Sequence, residues 1–181
     1  MTLTTRKIVV AGVLAAISVL LGFTGLGYIP VPNVTGSATI MGVPAYIGSV
    51  LEGWPVGLVV GLIFGISSFA QATSPLFKDP IVAILPRLFI GLTPYLAYRA
   101  VRRFGEVLAF GVAGAVGSAT NTVLVVAAII LRHYATFAQM LTVIPQAVGE
   151  LVLSVILTIA VCAAVARIQV GPRQARISRT G

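Results

Sequence analysis

Residues Ser37–Gly65 read SATIMGVPAYIGSVLEGWPVGLVVGLIFG and contain a single charged residue, Glu52. The stretch breaks at the sequence EGWP into two apolar segments. The second segment carries Gly57, Gly61 and Gly65 at successive fourth positions. This spacing places the three glycines on one face of a helix, where the backbone of another helix can approach closely. The pattern is typical of a compact helical bundle in a membrane.

The composition of the whole chain supports this interpretation. Charged residues make up 9% of the 181 residues and hydrophobic residues 58%, whereas an ordinary soluble domain has about 25% charged residues. The length suits about six helical spans of roughly 20 residues each. A membrane β-barrel would instead show segments of about ten residues with alternating polarity. We therefore predict an all-α integral membrane protein, a single domain folded as a compact bundle of six transmembrane helices.

Prolines, glycines and polar residues separate the apolar runs and set the predicted boundaries. The six predicted spans are residues 8–29, 38–51, 55–69, 81–100, 107–131 and 141–166. A basic, loosely ordered tail is predicted at 167–181. We expect the first span to be retained, because no small-residue cleavage site of the kind found in a signal peptide follows Arg6 and Lys7.

The basic residues are distributed unequally between the two ends of these spans. Of the 12 Lys and Arg residues, nine lie at one set of ends, two lie at the other, and Arg87 lies inside span 4. Basic residues concentrate on the cytoplasmic side of membrane proteins, so both termini are predicted to be cytoplasmic. The net charge of +8 is then a topology signal, and we expect no nucleic-acid partner.

Three strongly polar residues lie within predicted spans, where they are costly to bury and are candidates for function. Arg87, Asn121 and Glu150 lie roughly 9, 15 and 14 Å from the outer ends of their spans, at about 1.5 Å per helical residue. They predict a polar pocket that opens outward. Two interpretations stay open: Arg87 and Glu150 neutralise each other as a structural pair, or Arg87 binds a ligand carboxylate while Asn121 and Gln146 orient the ligand.

Two loops and the first span supply further candidates. Gln71 and Asn33 lie in predicted outer loops and are candidate ligand contacts. Ala11 and Ala15 form a small-xxx-small pattern, which suits either a partner helix or packing within the bundle.

The residues that metal binding and catalysis require are scarce. The chain has one cysteine and one histidine, which excludes an internal disulfide and a multi-cysteine metal site. No nucleophile–base pair and no phosphate-binding loop is recognisable in the sequence. We therefore expect no metal, no cofactor and no enzyme activity.

Four further blocks of the sequence are distinctive: ATIMGVP at 38–44, GLIFG at 61–65, LPRLFIG at 85–91 and GSATNTVL at 117–124. Together they resemble the substrate-binding S components of energy-coupling factor (ECF) transporters. The likeness is strongest to the branch that binds pantothenate, cobalamin or riboflavin. The resemblance implies a six-helix subunit of a bacterial plasma membrane that captures a vitamin, with pantothenate as the first expectation, from outside. It also implies a docking face at Ala11 and Ala15 for a transmembrane coupling subunit that carries two ATP-binding cassette ATPases.

The residues alone leave two other functions open. One is an ion-coupled secondary transporter of a small organic anion in which Glu150 titrates, although the chain shows no obvious inverted repeat. The other is a membrane assembly subunit without a ligand, in which Arg87 and Glu150 are purely structural.

Overall fold

The computed structural model describes residues 4–31, 35, 37–71 and 74–177, with side chains up to Ile168. Within these residues the protein is mostly helical and has one two-stranded antiparallel sheet. The elements in chain order are α1 (Thr5–Phe23), β1 (Tyr28–Pro30), β2 (Ser37–Thr39), α2 (Val43–Glu52), α3 (Trp54–Gln71), α4 (Pro80–Ala83), α5 (Leu85–Val101), α6 (Glu106–Leu131), α7 (Phe137–Met140) and α8 (Ile144–Ile177). Short 3₁₀ turns precede α4 and follow α5 and α7.

Five helical segments of the described chain are long and apolar enough to cross a membrane. They are Thr5–Phe23, Trp54–Gln71, Pro80–Phe104, Glu106–Leu131 and Phe137–Ile168. Helix α2 has 10 residues and therefore extends about 15 Å, half of the roughly 30 Å hydrocarbon core. It lies largely buried among the other helices. The bundle thus has five long helices around one short one, and six full spans stay a prediction.

The expectation of an all-α protein is wrong in one region. Strands β1 and β2 pair antiparallel, with Tyr28 opposite Thr39 and Pro30 opposite Ser37. The first helix, predicted to reach residue 29, ends at Phe23 because the chain turns at Gly25, whose φ is +74°. The second predicted span, 38–51, starts as strand, because strand pairing and side chains from α8 take up the backbone groups of β2.

Two further boundaries differ from the predicted spans. Predicted span 4 is divided between α4 and α5 at Ile84, two residues before Pro86, which has no backbone N–H to continue the hydrogen-bond ladder. Predicted span 6 begins with α7 and a 3₁₀ turn before α8. Helix α8 then continues to Ile177, through most of the segment predicted as a loosely ordered tail.

The glycine stripe of α3 packs directly on α5, as the spacing in the sequence predicts. A Cβ atom on Gly57 would lie 2.6 Å from the carbonyl oxygen of Gly91, and one on Gly61 would overlap the carbonyl oxygen of Arg87. A Cβ on Gly65 would lie 3.1 Å from the Cα of Ile84. The two backbones are therefore in contact at each of the three glycines. Only glycine permits helix backbones to approach this closely.

We expect Gly91→Ala to lower the free energy of unfolding by about 1–3 kcal/mol, because the added methyl group meets the backbone of Gly57 and Leu58. Gly149→Ala on α8 is the matched control, since a Cβ there meets nothing within 4 Å. It should leave stability unchanged or raise it by up to about 1 kcal/mol. Thermal unfolding in detergent tests both variants, and equal stabilities would contradict the packing described here.

Candidate functional site

A cavity of about 40 Å³ lies between β2 and the helices α5, α6 and α8. Its polar lining consists of Thr35, Ser37, Thr39, Arg87, Asn121, Thr122, Gln146 and Glu150, and its apolar lining includes Phe77 and Val125. Four residues predicted from the sequence, Arg87, Asn121, Gln146 and Glu150, are therefore brought to one cavity. Their convergence agrees with the pocket expected from their depths in the spans.

Arg87 is 2% exposed and is held by an oxygen and two aromatic rings. Its Nη1 donates to the carbonyl oxygen of Val82 at 2.7 Å. Its guanidinium lies 5.3 Å from the ring centroid of Phe64 and 5.0 Å from that of Phe77, distances typical of cation–π contacts. Its Nε makes no hydrogen bond with the described residues. The charge is thus stabilised by an oxygen and two ring faces, and the buried Nε–H has no partner among the described residues.

The acceptor for Arg87 is itself fixed by a polar cluster at the start of α4. Asp79 caps this helix, because its Oδ1 accepts from the backbone N–H of Ile81 at 2.9 Å. Its Oδ2 accepts from Arg132 Nε at 2.6 Å and from the Tyr134 hydroxyl at 3.0 Å. The hydrogen bond from the Ile81 N–H is the largest cause that lowers the pKa of Asp79. The bonds from Arg132 and Tyr134 lower this pKa further. The cluster ties α4, and hence Val82, to the end of α6.

Glu150 is 6% exposed and is bound to β2, and it forms no ion pair with Arg87. Its Oε1 accepts from the backbone N–H of Thr39 at 2.7 Å and from Gln146 Nε2 at 3.0 Å. The interpretation that Arg87 and Glu150 form a direct neutralising pair is therefore wrong. The carboxylate is instead used to hold a backbone N–H that has no helical partner.

Gln146 completes the link between α8 and the segment around β2. Its Nε2 also donates to the carbonyl oxygen of Ser37 at 2.8 Å, and its Oε1 accepts from the Thr35 hydroxyl at 3.0 Å. We call these contacts of Gln146 and Glu150 with Thr35, Ser37 and Thr39 the α8 latch. It closes one side of the cavity with polar bonds instead of packed side chains.

Asn121 is 7% exposed and contributes a buried amide from α6 to the same cavity. Its Oδ1 makes no hydrogen bond with the described residues, and Thr122 beside it also lines the cavity. The cavity wall therefore presents a cationic donor on α5 and an amide on α6. This combination can bind an anionic group and a neighbouring hydroxyl or amide of one small molecule.

Two predicted ligand contacts are not placed at this cavity. Gln71 is the last residue of α3 and lies against Gly22 of α1, where a Cβ on Gly22 would approach its Nε2 to 2.6 Å. It is not part of the cavity lining, because the end of α3 faces α1. Asn33 lies outside the described residues. Conversely, Ser37 and Thr39 were not predicted as cavity residues. Their backbone groups bond to Gln146 and Glu150 because this segment forms β2 instead of entering a helix.

The predicted docking residues of α1 lie largely within the bundle. Ala11 is 9% and Ala15 5% exposed, and both belong to the core cluster that α1 forms with α2, α3, α5, α6 and α8. Ala11 also forms, together with Gly12, the floor of a groove of about 300 Å³ between α1 and α3. Ala15 packs internally and does not reach this groove.

Comparisons with known proteins identify the class of protein to which this fold and cavity belong. A family model described as "ECF transporter, substrate-specific component" matches residues 6–165. The chain therefore belongs to this family, whose members are subunits of transporters and not enzymes. With its long apolar helices, it is a multi-pass membrane protein.

Two individual proteins are similar to the chain. The pantothenic acid transporter PanT of Lactococcus lactis subsp. cremoris (strain MG1363) is 33% identical over 156 residues, which cover 71% of this chain and 78% of that protein. A solved S component of a bacterial ECF transporter superposes with a TM-score of 0.66 at 15% identity, over 91% of this chain and 97% of that one. The second likeness shows that the two proteins share a fold.

The α8 latch yields a prediction about β2. Replacing Glu150 with Leu leaves the Thr39 N–H and Gln146 Nε2 without their acceptor, a loss worth about 1–3 kcal/mol for buried groups. We expect hydrogen exchange of the Thr39 amide to become at least about fivefold faster. Glu150→Gln is the control, because its amide oxygen can still accept both bonds. Hydrogen-exchange mass spectrometry measures both, and equal protection in wild type and Glu150→Leu would refute the latch.

Proposed function

We propose that this chain captures pantothenate on the outer side of a bacterial plasma membrane and delivers it to an ATP-driven importer. The family supports a substrate-capture subunit, and the relative named as a pantothenic acid transporter supports the choice of vitamin. Delivery takes place by docking to a transmembrane coupling subunit that carries two ATP-binding cassette ATPases. The distribution of Lys and Arg supports an orientation with both termini in the cytoplasm.

The observation that carries the proposal is the buried charge of Arg87. A guanidinium keeps its charge in proteins, and a buried charge is costly unless it is paired. No carboxylate of the described residues pairs with it, and its Nε is available. A ligand carboxylate at this position completes the set of partners, and Asn121 accepts from a ligand hydroxyl or amide N–H. Pantothenate contains all three groups.

Both alternatives from the sequence analysis have less support. An assembly subunit without a ligand does not account for the Arg87 Nε and Asn121 Oδ1 at the cavity, which have no partner among the described residues. An ion-coupled secondary carrier has less support because the matching family consists of substrate-specific components of ECF transporters.

The size of the cavity bears on how the ligand enters. At about 40 Å³ it is far smaller than the roughly 300–1,000 Å³ of small-molecule pockets, so binding requires the walls to separate. The helices are joined by close backbone packing, whereas β2 is joined to α8 by the polar bonds of the latch. In the proposed mechanism the region around Ser37–Thr39 moves outward to admit the vitamin.

The groove between α1 and α3 is the proposed docking surface for the coupling subunit. Its floor is Ala11 and Gly12, and its α3 side is formed by Val56, Val59 and Ile63. On α1, Ile8 and Val9 beside it are each 58% exposed. Small residues on the floor allow a partner helix to approach closely. This supports a docking role for Ala11, as predicted, and adds Gly12 to it, whereas Ala15 packs in the core.

The ligand assignment predicts a specific coupling between Arg87 and the carboxylate of pantothenate. Arg87→Met should weaken pantothenate binding by at least about 30-fold, the usual effect of removing one partner of a buried charge pair. An analogue of pantothenate in which an alcohol replaces the carboxylate is the second ligand. The wild-type protein should bind this analogue more weakly than it binds pantothenate, by a similar factor. Isothermal titration of both proteins with both ligands completes a double-mutant cycle.

The cycle also separates a binding role of Arg87 from a structural one. If the residue contacts the carboxylate, Arg87→Met discriminates little between pantothenate and the alcohol. If the variant keeps the full preference for pantothenate, the carboxylate is bound elsewhere and the proposal fails. Thermal unfolding of the variant without ligand measures the loss of stability separately.

The docking assignment predicts that Gly12→Leu abolishes ATP-dependent uptake while leaving vitamin affinity unchanged. The leucine enters open space in the groove, because a Cβ on Gly12 meets nothing within 4 Å, and it then occupies the position of the partner helix. Gly149→Leu on α8 makes the same change in equally open surroundings and should retain uptake. Co-purification with the coupling subunit provides a second measurement, and a Gly12→Leu variant that still co-purifies would refute this surface.

A further inference from the structure

A second polar concavity lies at the opposite end of the bundle from the cavity described above. It is a cleft of about 550 Å³ where the start of α1, the joint between α2 and α3, and the end of α5 meet. Three cations line it, Lys7, Arg99 and Arg102, together with three aromatic residues, Trp54, Tyr95 and Tyr98. We call it the basic cleft.

The positive charge of the basic cleft is not neutralised within the described chain. Glu52, the carboxylate on its wall, pairs with Arg6 at 2.8 Å, and the side chain of Glu52 is only 7% exposed. The described residues form no ion pair with Lys7, Arg99 or Arg102. The cleft therefore carries a local charge of about +3 and attracts a compact anion.

Aromatic residues give the cleft a defined shape. Arg99 donates through Nη1 to the Tyr95 hydroxyl at 3.2 Å and lies 5.8 Å from the centroid of that ring. Tyr98 stacks on Phe110 with ring centroids 5.8 Å apart and planes inclined by 9°. Tryptophan and tyrosine are enriched at the depth of lipid headgroups, so the composition of the wall matches a membrane–water interface.

We propose that the basic cleft binds the headgroup of an anionic phospholipid. A phosphate diester reaches cations at this depth directly from the bilayer, and its acyl chains can lie on the apolar flank of α5, where Leu96 is 54% exposed. A zwitterionic lipid is disfavoured because its amine would meet the same three cations. The site would hold one lipid at the end of the bundle opposite the ligand cavity, independently of which vitamin is captured.

Trp54 provides a direct probe, because it is the single tryptophan of the chain and lines the cleft. The protein is reconstituted in phosphatidylcholine vesicles that contain a small fraction of phosphatidylglycerol with brominated acyl chains, which quench tryptophan fluorescence on contact. We expect stronger quenching than an equal fraction of brominated phosphatidylcholine produces. Arg99→Gln combined with Arg102→Gln should reduce the preference by about fivefold for each cation removed.

The control variant combines Arg103→Gln with Arg167→Gln, which removes the same charge from residues that do not line the cleft. It should keep the preference for the anionic lipid. Equal quenching by the two brominated lipids in the wild-type protein, or an equal loss of preference in both double variants, would overturn the proposal. Reversal of the quenching by soluble glycerol phosphate would also overturn it, because it would assign the cleft to free phosphate esters.

Discussion

The buried positive charge of Arg87 is the constraint on which the structure of the bundle around the cavity depends. The charge is tolerated because Val82 supplies an oxygen and Phe64 and Phe77 supply two ring faces. Each of these partners is positioned by a separate feature of the chain. Phe64 lies on α3, Val82 lies on the short helix α4, and Phe77 lies in the 3₁₀ turn that precedes it.

The glycines of α3 and the break at Ile84 serve this arrangement together. Gly61 allows the backbone of α3 to touch the carbonyl of Arg87, which brings Phe64, less than one turn further on, to the guanidinium. Because α4 ends at Ala83, its last turn presents the carbonyl of Val82 to Arg87 instead of to a continuing helix. Asp79 then fixes the start of α4 through three hydrogen bonds. Packing that looks purely structural thus sets the orientation of the charged group.

The sequence predicts the membrane class, the long helices and the residues that converge on the cavity, because hydropathy and helical spacing are local properties. It identifies Arg87, Asn121 and Glu150 because buried polar groups are conspicuous in an apolar background. It does not predict β2, since the backbone of Thr39 is held by Glu150, a residue 111 positions away in the chain. The partners of Arg87 and Glu150 are equally non-local. The sequence places both residues within predicted spans, but the groups that they contact depend on how α4 and β2 fold.

The polar groups at the cavity divide into those that hold the protein together and those that remain for a ligand. Glu150 Oε1 and both polar atoms of the Gln146 side chain bond to each other and to the segment around β2. Arg87 and Asn121, in contrast, each keep a polar atom without a partner among the described residues. An anion that enters the cavity can therefore contact Arg87 without disturbing the helix packing. If β1 and β2 move together, the protein loses the latch bonds and keeps the strand pairing. Because the latch bonds are polar and can be exchanged for bonds to water, we propose that this wall is the one that moves when a ligand enters.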